Sequence, residues 1–291
     1  MPGLLALVLA ASSAFAAPDG QGWEWRETRT PHFRVLHQET WLPQGLTVGV
    51  ERIHFRLSMD LGGFSPWMAK ERIGLYVYRD MQSYVSGEFS PPSWSNGVAI
   101  YDRRAVAMPA MRDQAAMARV LAHEITHLLF VSYFRESKRD PPHWVNEGLA
   151  MLEEAESPIK PEASYWYQAM VEMKPGRWFP MDRFLEISPT KDLQDDKADV
   201  SDWYVQAYSV THFLLRKHSR LQFKAFCAAL RDGKTAEEAL RSAYQMRSLA
   251  DFVVSEDVDL LIAEMERLKG QPESTGHFEN RLVKSDGLIV H

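Results

Sequence analysis

Ten consecutive residues constrain this chain more than any others: Val120-Leu121-Ala122-His123-Glu124-Ile125-Thr126-His127-Leu128-Leu129. Two histidines four positions apart, with a glutamate after the first, sit inside a run that is apolar on both flanks. On a helix, positions i and i+4 lie on one face a turn apart, so His123 and His127 can present two imidazoles to one metal ion. Glu124 then lies beside that ion, free to take a proton from bound water without being a ligand itself. Three fixed residues also recur by chance, so the reading needs independent support.

Support comes from Trp144-Val145-Asn146-Glu147-Gly148-Leu149-Ala150, which places Glu147 20 positions after His127. A hydrolytic zinc site uses three protein ligands and leaves a position open for water, and two histidines with one glutamate are an established set. A second helix carrying Glu147 alongside the first would complete it. The two segments together resemble the gluzincin metallopeptidases. Thermolysin-like enzymes share the two-histidine motif with a downstream glutamate. The aminopeptidase N-like branch is closer, because its second motif reads W-L-N-E-G-F-A with another glutamate three residues on. Here Met151-Leu152-Glu153-Glu154 follows, with Glu154 in that last place. The resemblance implies one Zn2+ per chain held by His123, His127 and Glu147, with Glu124 as general base.

Further roles follow with alternatives beside them. A ligating histidine is usually oriented by a partner on its other ring nitrogen. Glu154 lies on the same helical face as Glu147 and could supply it, or could be a solvated surface glutamate. Asn146 could do similar work or simply start the helix. His143 is the candidate fourth ligand of a purely structural zinc site. An oxyanion needs a donor, and the related family uses a tyrosine in a Y-x-K-G-A-type motif. Tyr204-Val205-Gln206-Ala207-Tyr208 fills that place loosely, with Tyr208 and His212 as rivals. By the same resemblance Ala105, Val106, Ala107 and Met108 are the candidate substrate-binding edge strand; an ordinary edge strand is the alternative. The family's G-x-M-E-N segment, whose glutamate holds a free substrate amine, has no counterpart: Ser95-Asn96-Gly97-Val98-Ala99-Ile100 lacks a carboxylate. Aminopeptidase activity is therefore not expected. An endopeptidase or a hydrolase of cell-envelope peptides fits better, against an inactive peptide-binding relative or a zinc hydrolase of another amide or ester.

The rest of the chain bounds the setting. Its 291 residues suffice for one large or two small domains, and a net charge of −6 argues against general nucleic-acid binding. Residues 4–11 are apolar but too short to span a bilayer, and Ala14-Phe15-Ala16 suits a signal-peptidase site. Residues 1–16 are thus expected to be a signal peptide for periplasmic or secreted export, with no membrane span after cleavage. The start lacks Lys or Arg, which leaves an uncleaved anchor as the other outcome. Cys227 is the single cysteine, expected in the core rather than reactive.

Hydrophobic spacing completes the expected α+β architecture: a small mixed sheet with helices, then a helical half, with a cleft between them. Residues 17–30 read as a polar lead-in. Residues 31–156 read as the α/β part with the metal-binding helices, 157–269 as the helical part, and 270–291 as a tail. Strands are expected at 33–37 and 73–78 and in a hairpin of 97–100 with 105–108. Helices are expected at 44–61, 113–134, 144–156, 163–174, 203–217, 221–231, 235–245 and 249–268. Residues 191–201, rich in charge, read as an exposed loop.

Overall fold

The computed structural model describes residues 24–38, 42, 45–92, 95–155, 160–193 and 197–246, with 282–283 and 289–290 as two short paired strands. The helix expected at 249–268 and the N-terminal leader lie outside the described residues. The fold is α+β: a five-stranded mixed sheet followed by helices.

The sheet contains β1 (Arg26–Arg29), β2 (Phe33–His37), β3 (Ile73–Tyr78), β4 (Val98–Ile100) and β5 (Ala105–Pro109), in the spatial order β1-β2-β3-β5-β4. The central strands β2, β3 and β5 are parallel, and the outer strands β1 and β4 run antiparallel to their neighbours. Parallel strands are covered on both faces and read as continuous apolar runs. Register confirms it: Val35, Leu75 and Val106 align on the face joined to the main core, while Leu36, Tyr76 and Ala107 align on the other.

Helix α1 (Leu46–Leu61) crosses over between β2 and β3, and the short α2 (Met81–Val85) follows β3, capped by the Asp80 side chain on the Ser83 N–H at 2.7 Å. Helix α3 (Gln114–Arg135) follows β5. Asp113 caps it by accepting from the N–H groups of Ala115 and Ala116 at 2.9 and 3.1 Å. From Leu121 onward nearly every side of α3 is buried, as expected of a helix apolar all round. Helix α4 (His143–Glu153) begins just after Pro141-Pro142. Then come α5 (Tyr165–Glu172), α6 (Met181–Glu186), α7 (Pro189–Asp192), α8 (Lys197–His212), which ends in a π-helical turn at Phe213–Lys217, α9 (Arg220–Arg231) and α10 (Ala236–Tyr244). One continuous apolar cluster runs from Phe33 in the sheet to Tyr244, and Cys227 is buried within it.

Two segments differ from the sequence reading. The supposed lead-in contains β1, an edge strand whose residues are mostly exposed; Glu27 pairs with Arg29 and with Arg34, the latter at 2.8 Å. Its polar composition hid it, and Trp25 secures it by packing edge-on against Tyr76 and Tyr78. The supposed loop at 191–201 contains the end of α7 and the first turn of α8. Asp199 and Asp202 lie in the first two turns of α8, where negative charge suits the helix dipole, and both pair with Arg177. Among the described residues, no helix is long and apolar enough to cross a membrane.

Candidate metal centre

Helix α3 delivers His123 and His127 to one face, with their Nε2 atoms 3.0 Å apart. Helix α4, packed against α3, delivers Glu147. One of its carboxylate oxygens is 3.8 Å from His123 Nε2 and the other 3.7 Å from His127 Nε2. One donor atom from each of the three residues lies within 4.8 Å of the others. A tetrahedral ion with nitrogen ligands at about 2.0–2.1 Å holds neighbouring donors roughly 3.3 Å apart, so this set suits a zinc-sized ion. The site is also reachable: the side chains of His123, Glu147 and His127 retain 22%, 20% and 10% exposure.

Tautomers agree with this fit. His123 Nδ1 lies 2.8 Å from Glu154 Oε1, so a proton on Nδ1 leaves the Nε2 lone pair facing the other donors. The Glu154 side chain is mostly buried and in hydrogen-bond contact with that ring nitrogen. Asn146 is not joined to the ligands in this way: its Oδ1 and His127 Nδ1 are each buried without a hydrogen-bond partner. His143 is exposed at the start of α4 and is not part of the donor group.

Glu124, on the same turn, lies beside the two histidines and reaches the sheet edge near Gly97 and Ala99. Burial pushes its carboxyl above the usual carboxylate range. The neighbouring His127 and His123 and a hydrogen bond from the Ala99 backbone oppose that rise. The hydrogen bond identifies which strand borders the site. Strand β5 lies between β3 and β4 with its main chain paired on both sides, and Ala105, Val106, Ala107 and Met108 are fully buried. Those four residues therefore do not form an edge. Among the described residues, the edge on this side of the sheet is β4, Val98–Ile100. The family resemblance points to the strand shortly before the metal helix, Ala105–Met108, and that strand is the inner member of the hairpin.

Two glycines bring these parts together. A Cβ on Gly97 would lie 2.8 Å from both Glu124 Cγ and Val120 Cγ1, so only glycine lets the edge strand approach α3 this closely. A Cβ on Gly148 would lie 2.2 Å from the Ala207 carbonyl oxygen and from Thr211 Oγ1. The helix–helix contact at Gly148 thus seats α8 directly on α4. That contact brings Tyr204 into the electrostatic reach of Glu147. Burial first, and then the Glu147 charge, push its phenol up to about 12. Its rivals are occupied elsewhere: Tyr208 is buried with its hydroxyl bonded to Ser164, and His212 stacks on it with ring centroids 5.8 Å apart. Burial drives the His212 imidazole down to about 4.

Residues 56–250 match the family described as the Peptidase MA superfamily. The chain belongs to that superfamily. Its gluzincin-like domain supports a peptidase-type function, and the match spans both metal-site helices and the helix carrying Tyr204. No curated protein matches the chain significantly.

Proposed function

We propose that this protein is an exported, zinc-dependent peptidase that hydrolyses internal peptide bonds with Glu124 as general base. The observation that carries the proposal is the convergence of His123, His127 and Glu147 on one point beside the buried carboxyl of Glu124. Bound there, zinc supplies Lewis-acid chemistry that makes water acidic and polarises a carbonyl.

The chain's own residues account for the remaining steps. Glu124 accepts a proton from the attacking water at a carboxylate oxygen and returns it to the leaving nitrogen. A proton affinity raised by burial suits a group that must hold that proton between the two events. The Tyr204 hydroxyl, protonated throughout the neutral range, donates to the carbonyl oxygen as it gains negative charge. The free edge of β4 offers main-chain groups to an extended substrate, which would add as a further strand. Residues 95–100 carry no carboxylate to hold a substrate amine, which favours an endopeptidase over an aminopeptidase. Export rests on the apolar segment 4–11 and the small residues Ala14 and Ala16. In the proposed two-part organisation, 31–156 contributes the ligands and base, and 157–269 contributes the tyrosine.

Glu124→Gln provides the test. In a peptide-library digest, the variant is expected to bind zinc as the wild type does and to lose about 10²- to 10⁴-fold in hydrolysis, the usual worth of a general base. Undiminished hydrolysis would remove Glu124 from the mechanism.

A further inference from the structure

We propose that Trp166 is a positioning residue for the metal site, holding the His123 ring through Glu154. This inference rests on the zinc reading above. The Trp166 indole N–H donates to Glu154 Oε2 at 3.0 Å, while Glu154 Oε1 holds His123 Nδ1 at 2.8 Å. Each oxygen of one carboxylate is thus engaged, and the plane of that carboxylate is fixed at both ends.

Glu154 needs such an anchor. It is the C-cap of α4, beyond the last helical residue, and its backbone N–H reaches the Met151 carbonyl only at 3.3 Å. Its backbone alone therefore constrains its side chain less than a mid-helix position would. The indole arrives from α5, an element of the helical half that supplies no ligand, and its ring packs on Tyr204 with centroids 6.4 Å apart. Trp166 thus touches the orienting partner of one ligand and the tyrosine at the same site. Partners that orient metal-ligating histidines typically govern 10- to 100-fold in metal affinity.

The test measures zinc affinity by competition with a chromophoric chelator for the wild type, Trp166→Phe, Glu154→Ala and the double variant. Phenylalanine keeps an aromatic ring and removes the N–H. Metal-free melting curves report separately on packing, so the cycle is read at a temperature where all four chains are folded. The expected result is a loss of roughly tenfold in Trp166→Phe, with no further loss when the change is added to Glu154→Ala. An equal loss in both backgrounds would show that Trp166 acts through packing and would overturn the proposal. Unchanged affinity in Trp166→Phe, with the wild type binding zinc, would overturn it while leaving the zinc site intact. A wild type that binds no zinc would remove both.

Discussion

At the scale of single residues, Gly97 shows how narrowly Glu124 is placed. The position has no left-handed backbone requirement, so its demand is steric: a methyl group would press on Glu124 Cγ and Val120 Cγ1, each at 2.8 Å. Gly97→Ala is expected to lower kcat by roughly 10- to 100-fold, since a misplacement near 1 Å carries a cost of that order. Zinc affinity should stay close to wild type, because the atoms nearest the added methyl belong to Glu124 and Val120 and to none of the three candidate ligands. Full activity in the Gly97→Ala variant would show that β4 yields freely. The three candidate ligands come together as helical spacing leads one to expect, because that spacing is local: His123 and His127 are four apart on one helix, and Glu147 lies within the next. Glu154 was legible by the same face rule. Gly97 was not, because what it accommodates lies more than 20 residues further along the chain. Trp166 carries no local sequence signal for a similar reason, and Asn146 Oδ1 is buried without a hydrogen-bond partner.

Between elements, the decisive contact is that of α4 with α8 at Gly148. Replacing a mid-helix glycine with alanine ordinarily stabilises a helix by up to about 1 kcal/mol. Here the added methyl meets the Ala207 carbonyl and Thr211 Oγ1 at 2.2 Å, and overpacking of this kind typically costs about 1–3 kcal/mol. The steric effect is the larger, so Gly148→Ala should melt below the wild type and show reduced activity as Tyr204 withdraws from Glu147. A higher melting temperature in the variant would mean that the two helices separate without cost. Apolar periodicity gave away most helices and the parallel strands, because burial follows it directly. It did not reveal β1 or the start of α8. Those segments are stabilised by an edge-on aromatic contact and by pairing with Arg177, and their own residues are polar. The choice of β5 over β4 as the edge failed because strand order in a sheet is not local information.

Across the whole molecule, a buried knot of charge joins distant parts of the chain. Arg216, in the π-helical turn after α8, pairs with Asp60 of α1 at 2.7 Å and with Glu153 of α4 at 3.0 Å, and Arg220 of α9 reaches Asp60 at 2.5 Å. Asp60 and Glu153 have side-chain exposures of 2% and 1%. Burial raises the Glu153 carboxyl to about 8, Arg216 opposes the rise, and the Asp60 charge adds to it. The folded chain therefore keeps a proton on Glu153 at pH values where the unfolded chain, with an ordinary value of 4.5, has released it. Stability from this group is greatest in acid, falls as pH rises from about 4.5 towards about 8, and levels off above that. Glu153→Gln should flatten that slope. The check is denaturant unfolding of both chains from pH 5 to 9: a stability difference that grows in favour of the variant as pH rises is expected, and a constant difference would contradict the raised proton affinity of Glu153. Nothing local in the sequence marks residues 60, 153 and 216 as partners, because long-range ion pairs leave no periodicity.

The proposed zinc site lies between α3 and α4. Native mass spectrometry of the purified chain beside Glu147→Ala, after equilibration with zinc, tests it without any assumption about substrate. One zinc ion per wild-type chain and its loss from the variant are expected. A wild type that takes up no zinc, or a variant that retains it fully, would contradict the metal centre described above.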